Sequence, residues 1–173
     1  LETGTTDQTC TFTATNATTG TCNYTVASGD NSSDLDAAIT GTIKDQALNT
    51  LTNYTPTTTL AANKALVIDA TAPVISNLTA TPGTTSATIS WDTNKASSSQ
   101  VLYGPTSAYG TKTTQTDTSP RVTSHEVTLT GLVSCATYNY QVRSIDSATN
   151  TATSSNQTFT TTSCTNSASV VSK

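Results

Sequence analysis

At 173 residues the chain is long enough for one large β domain or two small ones. A net charge of −4, a pI near 4.6 and only seven scattered Lys and Arg exclude nucleic acid as a partner, because a phosphate-binding surface is basic. No apolar run approaches the length of a membrane span.

About a quarter of the residues are Thr, aromatics are 5%, charged residues 10%, and Met is absent. Such bias would suit a disordered polar tract, but apolar residues recur with strand period from end to end. Thr is β-branched and suits the solvent face of a strand. No signal peptide is visible and Leu1 is not an initiator, so the expectation is a processed product or a piece of a longer chain.

In chain order, residues 8–15 and 21–27 form the first expected hairpin, turning across Asn16-Ala-Thr-Thr-Gly20. Cys10, Phe12 and Ala14 share one face of it, as do Cys22, Tyr24 and Val26. Residues 39–43 and 60–68 supply further strands. The boundary is Asp69-Ala-Thr-Ala-Pro73-Val74, where a strand ends and Pro73 opens the next at a position that tolerates its missing N–H. Two domains are expected, 1–70 and 71–173, the second ending in a short tail.

Beyond Pro73 a seven-strand series is expected. Residues 74–80 come first, then a turn at Pro82-Gly83. Residues 87–91 follow, with Ala87, Ile89 and Trp91 on one face, then 100–104, bounded by Gly104-Pro105, and a short edge strand over 109–114. The stretch 125–162 supplies the last three. Val127 and Leu129 alternate with threonines, and Leu132 closes a corner. Tyr138, Tyr140 and Val142 alternate with polar residues, and Phe159 sits in a final run over 156–162. Strict alternation means antiparallel sheet with one buried and one wet face.

The four cysteines, Cys10, Cys22, Cys135 and Cys164, split two and two between the halves, and none forms CxxC. The single His125 is far from three of them, which argues against zinc. Two disulfides are expected: Cys10–Cys22 stapling the first hairpin, and Cys135–Cys164 tying the corner to the tail. Free buried thiols are the alternative. Disulfides imply an extracellular or cell-surface location. Sequons at Asn16, Asn23, Asn31, Asn53, Asn77 and Asn156 permit a glycoprotein, but a chain this rich in Thr and Asn generates sequons by chance.

No catalytic constellation emerges. A nucleophilic triad needs a His, and His125 at the start of a strand reads as solvent-facing and inert. The acids sit in separate loops, and no Gly-rich phosphate loop occurs. The strongest candidate for chemistry is Gly29-Asp-Asn-Ser-Ser-Asp-Leu-Asp36. Its Asp30, Asp34 and Asp36 supply the hard oxygens calcium prefers, without EF-hand spacing, and a turn with Asx caps is the plainer reading. Asp69, at the joint, is a second position for a bridging calcium ion. No other cofactor is expected.

Two loops echo each other, Asp45-Gln-Ala-Leu-Asn49 and Asp146-Ser-Ala-Thr-Asn150. Each reads as a turn in which Asp caps the backbone and Asn takes the left-handed conformation. Tyr54, Tyr103 and Tyr109 are the aromatics left over for a glycan-binding platform, the last two flanking Gly104-Pro105.

The segments TAPVISNLTA, TSATISWDTN, QVLYG, HEVTLTGL, TYNYQVRSIDS and TFTT, in that order, resemble a fibronectin type III domain over residues 73–162. Trp91, Leu132 before the corner, and Tyr138 as the corner tyrosine carry the match. It resembles the variety attached to bacterial secreted and surface proteins, including modules that precede metallophosphoesterase domains. Two departures are Cys135, in a corner that is usually Pro-Gly, and Thr149, where such turns often carry Gly. The first seventy residues resemble bacterial Ig-like repeats, which carry a comparable GD…DLD segment and normally begin with strands before the position of Leu1. That resemblance implies an edge open to strand addition, left by a cut in a longer chain or filled by another subunit.

The expected architecture is all-β: two tandem Ig-like/fibronectin III-like antiparallel β-sandwiches, the first lacking its opening strands. The expected function is an extracellular structural or adhesive module, such as a stalk, adhesin or pilus-like filament subunit. Its partners would be neighbouring copies of itself or adjacent domains. The alternative is a non-catalytic accessory or carbohydrate-binding module of a secreted hydrolase. No enzyme activity is expected of the chain itself.

Overall fold

The computed structural model describes residues 1, 8–11, 13–14, 20–38, 40, 42–45, 47–51, 58–63 and 66–164. Among the described residues it is all-β apart from one helical turn, and the chain divides into two compact units, Leu1–Thr71 and Ala72–Lys173.

In the first unit β1 (Thr13–Ala14) pairs antiparallel with β2 (Gly20–Thr21), and β3 (Asn31–Ser32) pairs with β4 (Ile68–Asp69). Cys10 and Cys22 are bonded across the first pair, with Cα atoms 5.8 Å apart. The expected strand over 21–27 stops at Thr21. Beyond it the Ala27 N–H and the Tyr24 hydroxyl turn onto the Asp30 carboxylate, which bends the chain instead of laddering it. The expected strand over 60–68 is also corrected. Leu60–Asn63 is a helical turn, α1, and only Ile68–Asp69 is strand. Thr59 Oγ1 accepts from Ala62 N–H at 3.2 Å and Asp36 Oδ1 from Leu60 N–H at 3.1 Å. Side-chain caps on an Ala-rich segment favour helix over strand. Phe12, Ile39, Gly41 and Ala65 of the expected strands lie outside the described residues, as do Asn16, Asn53 and Tyr54.

The second unit is a sandwich of two antiparallel sheets. One holds β5 (Ile75–Pro82), β6 (Ser86–Ser97) and β9 (Val122–Thr130), in the order β5-β6-β9. The other holds β7 (Gln100–Gly104), β8 (Thr111–Lys112), β10 (Thr137–Ile145), β11 (Thr151–Thr153) and β12 (Gln157–Thr160). The last two lie along the same partner, β10, and are one strand interrupted at Ser154. There Ser154 gives its N–H to Val142 O at 3.0 Å, and its hydroxyl accepts from Val142 N–H at 3.1 Å. The expected edge strand over 109–114 shrinks to Thr111–Lys112 because Tyr109 and Gly110 take φ of 60° and 83° and bend the chain first.

Inward residues recur at every second position, as the pleat requires. Ala87, Ile89 and Trp91 from β6, Val101 from β7, Leu129 from β9, Tyr140 and Val142 from β10, and Phe159 from β12 close the core. Tyr138 and Phe159 stack with ring centroids 5.6 Å apart. The Tyr138 hydroxyl accepts from Val133 N–H at 3.0 Å, which pins the corner between β9 and β10. Cys135 is bonded to Cys164 at that corner, and Cys135 N–H reaches Thr162 O at 3.3 Å.

Candidate functional site

The four candidate calcium ligands engage separate donors. Asp30, 7% exposed, accepts from Ala27 N–H at 2.7 Å and from the Tyr24 hydroxyl. Asp34 faces Leu66 N–H at 3.4 Å, Asp36 caps Leu60 and Ala37, and Asp69 accepts from Thr71 N–H at 3.2 Å. Asp30 and Asp69 cap N–H groups two or three residues away, as Asx turns do, while Asp34 and Asp36 bind N–H groups far along the chain. Among the described residues no three His, Cys, Asp or Glu side chains converge as metal ligands would.

The two echoing loops form the same structure. Asn49 N–H and Asn49 Nδ2 each donate to the Asp45 carboxylate at 2.9 Å, while Asp45 N–H returns to Asn49 O at 3.0 Å. Asn150 N–H and Nδ2 reach the Asp146 carboxylate at 2.9 and 3.0 Å, and Asp146 N–H returns to Asn150 O at 3.1 Å. The left-handed residue is not the expected Asn. It is the residue before it, Leu48 at φ 66° and Thr149 at φ 71°. The Asn is bound through both its amides to the Asp, which leaves the backbone reversal to its neighbour. Both departures from the fibronectin pattern prove to be left-handed sites without glycine, since Cys135 has φ 54°.

In the second turn Asp146 is buried, while Ser147, Ala148 and Thr149 are exposed. Burial alone would raise the Asp146 pKa, but the Asn150 bonds and Lys95 Nζ at 3.3 Å outweigh that and hold the carboxyl below its usual range. At Asp45 the side-chain bond from Asn49 is the main cause of a lowered pKa.

His125 is placed opposite to expectation. It is 2% exposed, directly across from Trp91 on β6, and the rings stack with centroids 4.9 Å apart. The alternation that turns Val127 and Leu129 inward extends to position 125, and that signal was sufficient to find it. Thr93, Ser97 and Ser99 are buried against its ring nitrogens, and Trp91 Nε1–H donates to the buried Ser144 Oγ at 2.9 Å. Burial holds the His125 pKa below its usual value, against the pull of Asp117 and Asp92. Enclosure in the sandwich gives no substrate a path to the ring.

Of the aromatics left over for a glycan platform, Tyr103 packs on the core against Tyr138 at 6.5 Å and does not present its face. Tyr109 is half-buried, and its backbone closes against Gly104, where a Cβ would meet Tyr109 O at 1.5 Å. A shallow groove runs between β5 and the β11–β12 strand. Pro73, Val74 and Leu78 line one side, and Ala152, Ser154 and Gln157 the other. No buried charge or unsatisfied side-chain donor points into it among the described residues.

Two sheets of three and five strands, a corner tyrosine bonded back to the chain, and a buried tryptophan on the second long strand make a fibronectin III-like sandwich. Comparison with protein families matches residues 73–161 to the purple acid phosphatase N-terminal domain. The chain belongs to this family. A purple acid phosphatase N-terminal domain is a non-catalytic accessory domain of a hydrolase, and the matched residues are those of the sandwich just described. No curated protein matches the chain.

Proposed function

We propose that the chain is a non-catalytic accessory module of a phosphoesterase-type hydrolase, packing beside or spacing its catalytic domain. The observation that carries this reading is the family match over the sandwich. It favours the accessory function over the stalk, adhesin or filament subunit. Three structural features agree with it. The core is filled by side chains, the one histidine is sealed inside, and the carboxylates of the loops are used as caps. Such a module contributes a stiff body and a surface, and its natural partner is an adjacent domain of a longer chain.

The first unit fits as a second sandwich-type repeat of the Ig-like kind. Its hairpin from Lys44 to Thr50 repeats the β10–β11 turn bond for bond. Two disulfides suit an oxidising, extracytoplasmic compartment.

The test has two arms. Purified chain, incubated with p-nitrophenyl phosphate across pH 4–8 with divalent and ferric ions, is expected to release no nitrophenol above background, and turnover would overturn the accessory reading. Concentrated chain viewed by negative-stain electron microscopy is expected to show discrete particles, whereas regular fibres would restore the filament reading.

A further inference from the structure

The hydrogens on the two nitrogens of His125 can be traced through their partners. Nδ1 lies 2.7 Å from Ser99 Oγ, and Ser99 Oγ also binds the Asp117 carboxylate. A carboxylate only accepts, and a hydroxyl has one hydrogen to give. Ser99 therefore donates to Asp117 and must accept from Nδ1–H. That fixes the neutral ring as the Nδ1–H tautomer and leaves Nε2 as an acceptor in need of a donor. The near atom is Thr93 Oγ1 at 2.8 Å, with Ser97 Oγ farther off at 3.4 Å. Thr93 Oγ1 is also 2.7 Å from Lys95 O. Ser97 Oγ lies 3.0 Å from Thr93 Oγ1 and can give it its own hydrogen, which leaves the Thr93 hydrogen facing two acceptors, Nε2 and Lys95 O.

We propose that the Thr93 hydroxyl is the pivot of a proton-responsive relay in the core of the second unit. With His125 neutral, the Thr93 hydrogen points to Nε2. When Nε2 takes a proton from solvent, the ring donates to Thr93 Oγ1, and the hydroxyl hydrogen turns to Lys95 O. One proton is added, one N–H bond forms, and no heavy atom needs to move. In the charged state both chains are complete: Nδ1–H to Ser99 to Asp117, and Nε2–H to Thr93 to the Lys95 carbonyl.

The charged groups around the ring act in both directions. Asp117, from the crossover between β8 and β9, and Asp92, on the Trp91 strand, favour the proton, while burial opposes it. Lys95 is held by Asp146 at 3.3 Å, and Arg121 is bound to the Ile145 and Thr118 carbonyls. Glu126, the next residue on the same strand, is exposed on the outer face. Just before β7 the ring's neighbour is the uncharged Ser99, and on β10 the uncharged Ser144 binds Trp91, the ring's stacking partner. The relay offsets part of the burial penalty, so the sandwich accepts acid without opening the tie from Ser99 to Asp117.

The experiment is an NMR titration of the ring nitrogens in the full chain, with Thr93→Val and Thr93→Ser alongside. Wild type at pH 8 is expected to show the Nδ1–H tautomer. Thr93→Val is expected to lower the His125 midpoint by about one pH unit, a tenfold loss of proton affinity. Thr93→Ser should restore it. An Nε2–H tautomer in wild type overturns the proposal without any variant. A Thr93→Val midpoint equal to wild type overturns it as well. Should Thr93→Val not fold, Asp117→Asn gives a second reading. Its amide can donate to Ser99, so the Nδ1–H lock is expected to loosen, and an unchanged tautomer would sink the accounting.

Discussion

The two Asp-x-x-x-Asn turns have the same bonds and the same left-handed residue, yet they sit in very different surroundings. Asp45 and Leu48 lie on an exposed hairpin of the first unit, and Leu48 is 73% exposed. Asp146 is 2% exposed, tied to Lys95, and joined to a strand that runs through the core. The turn geometry is therefore a property of five residues. Its energetic weight comes from what is packed around it.

The largest test of that contrast removes packing on each side. Leu129→Ala, in the core of the second unit, is expected to cost about 2–5 kcal/mol, whereas Leu48→Ala should stay within about 0.5 kcal/mol of wild type. Urea unfolding followed by the fluorescence of Trp91, the single tryptophan, reports the second unit directly. A Leu129 variant as stable as wild type would mean the sandwich core is not what holds that unit.

The disulfides sharpen the comparison next. Cys135–Cys164 spans 29 residues and Cys10–Cys22 spans 12, so chain entropy assigns about 3.5 and 3 kcal/mol to them. Replacing Cys135 and Cys164 together by Ser should lower the unfolding midpoint of the second unit and leave its hydrogen-bonded corner in place. Tyr138 to Val133 and Thr161 to Ala136 hold that corner without the sulfurs. Circular dichroism melts of the double variant measure the loss, and no loss would show that the corner bonds alone suffice.

Asp146→Ala comes third. It removes the bonds that the Asn150 amides and the partly buried Lys95 make to a buried carboxylate, for about 1–3 kcal/mol, while Asp45→Ala removes the Asn bonds at a solvated site and should cost less. The sign with pH follows from the lowered Asp146 pKa. The contribution is present above the ordinary value of 3.8 and is lost as pH falls through the lower folded value. The stability gap between wild type and Asp146→Ala should therefore close in strong acid. A gap that is constant from pH 7 to pH 2 would show that the carboxylate charge plays no part.

Much of the second unit was legible in the sequence because two-residue alternation is a local pattern that burial enforces strand by strand. Trp91, Leu132, Tyr138 and Phe159 fall where that pattern puts them. His125 shares the face of Val127 and Leu129, so its burial follows from register, while its polar ring at a strand's start reads as a surface residue. The helical turn at Leu60–Asn63 was missed because its caps, Asp36 and Thr59, include one that is 24 residues away in the chain. The proton chain from Thr93 through His125 to Asp117 joins two strands and a crossover. No period within one segment announces such a site. The calcium candidates failed to converge for a related reason, since proximity along a loop does not aim four carboxylates at one point.

The smallest expected effect returns to the twin turns. Thr149 and Leu48 both occupy left-handed backbone, where a Cβ costs roughly 1–2 kcal/mol. Glycine relieves that strain but adds freedom to the unfolded chain, which takes back about 0.5–1 kcal/mol. The net gain from Thr149→Gly is expected to be about 0.5 kcal/mol, and from Leu48→Gly less, because a β-branched side chain fits the left-handed region worse than an unbranched one. Paired thermal melts at one pH resolve the difference. If Leu48→Gly gains more than Thr149→Gly, side-chain branching is not the source of the strain, and the turn of the first unit is the one bent further against its preference.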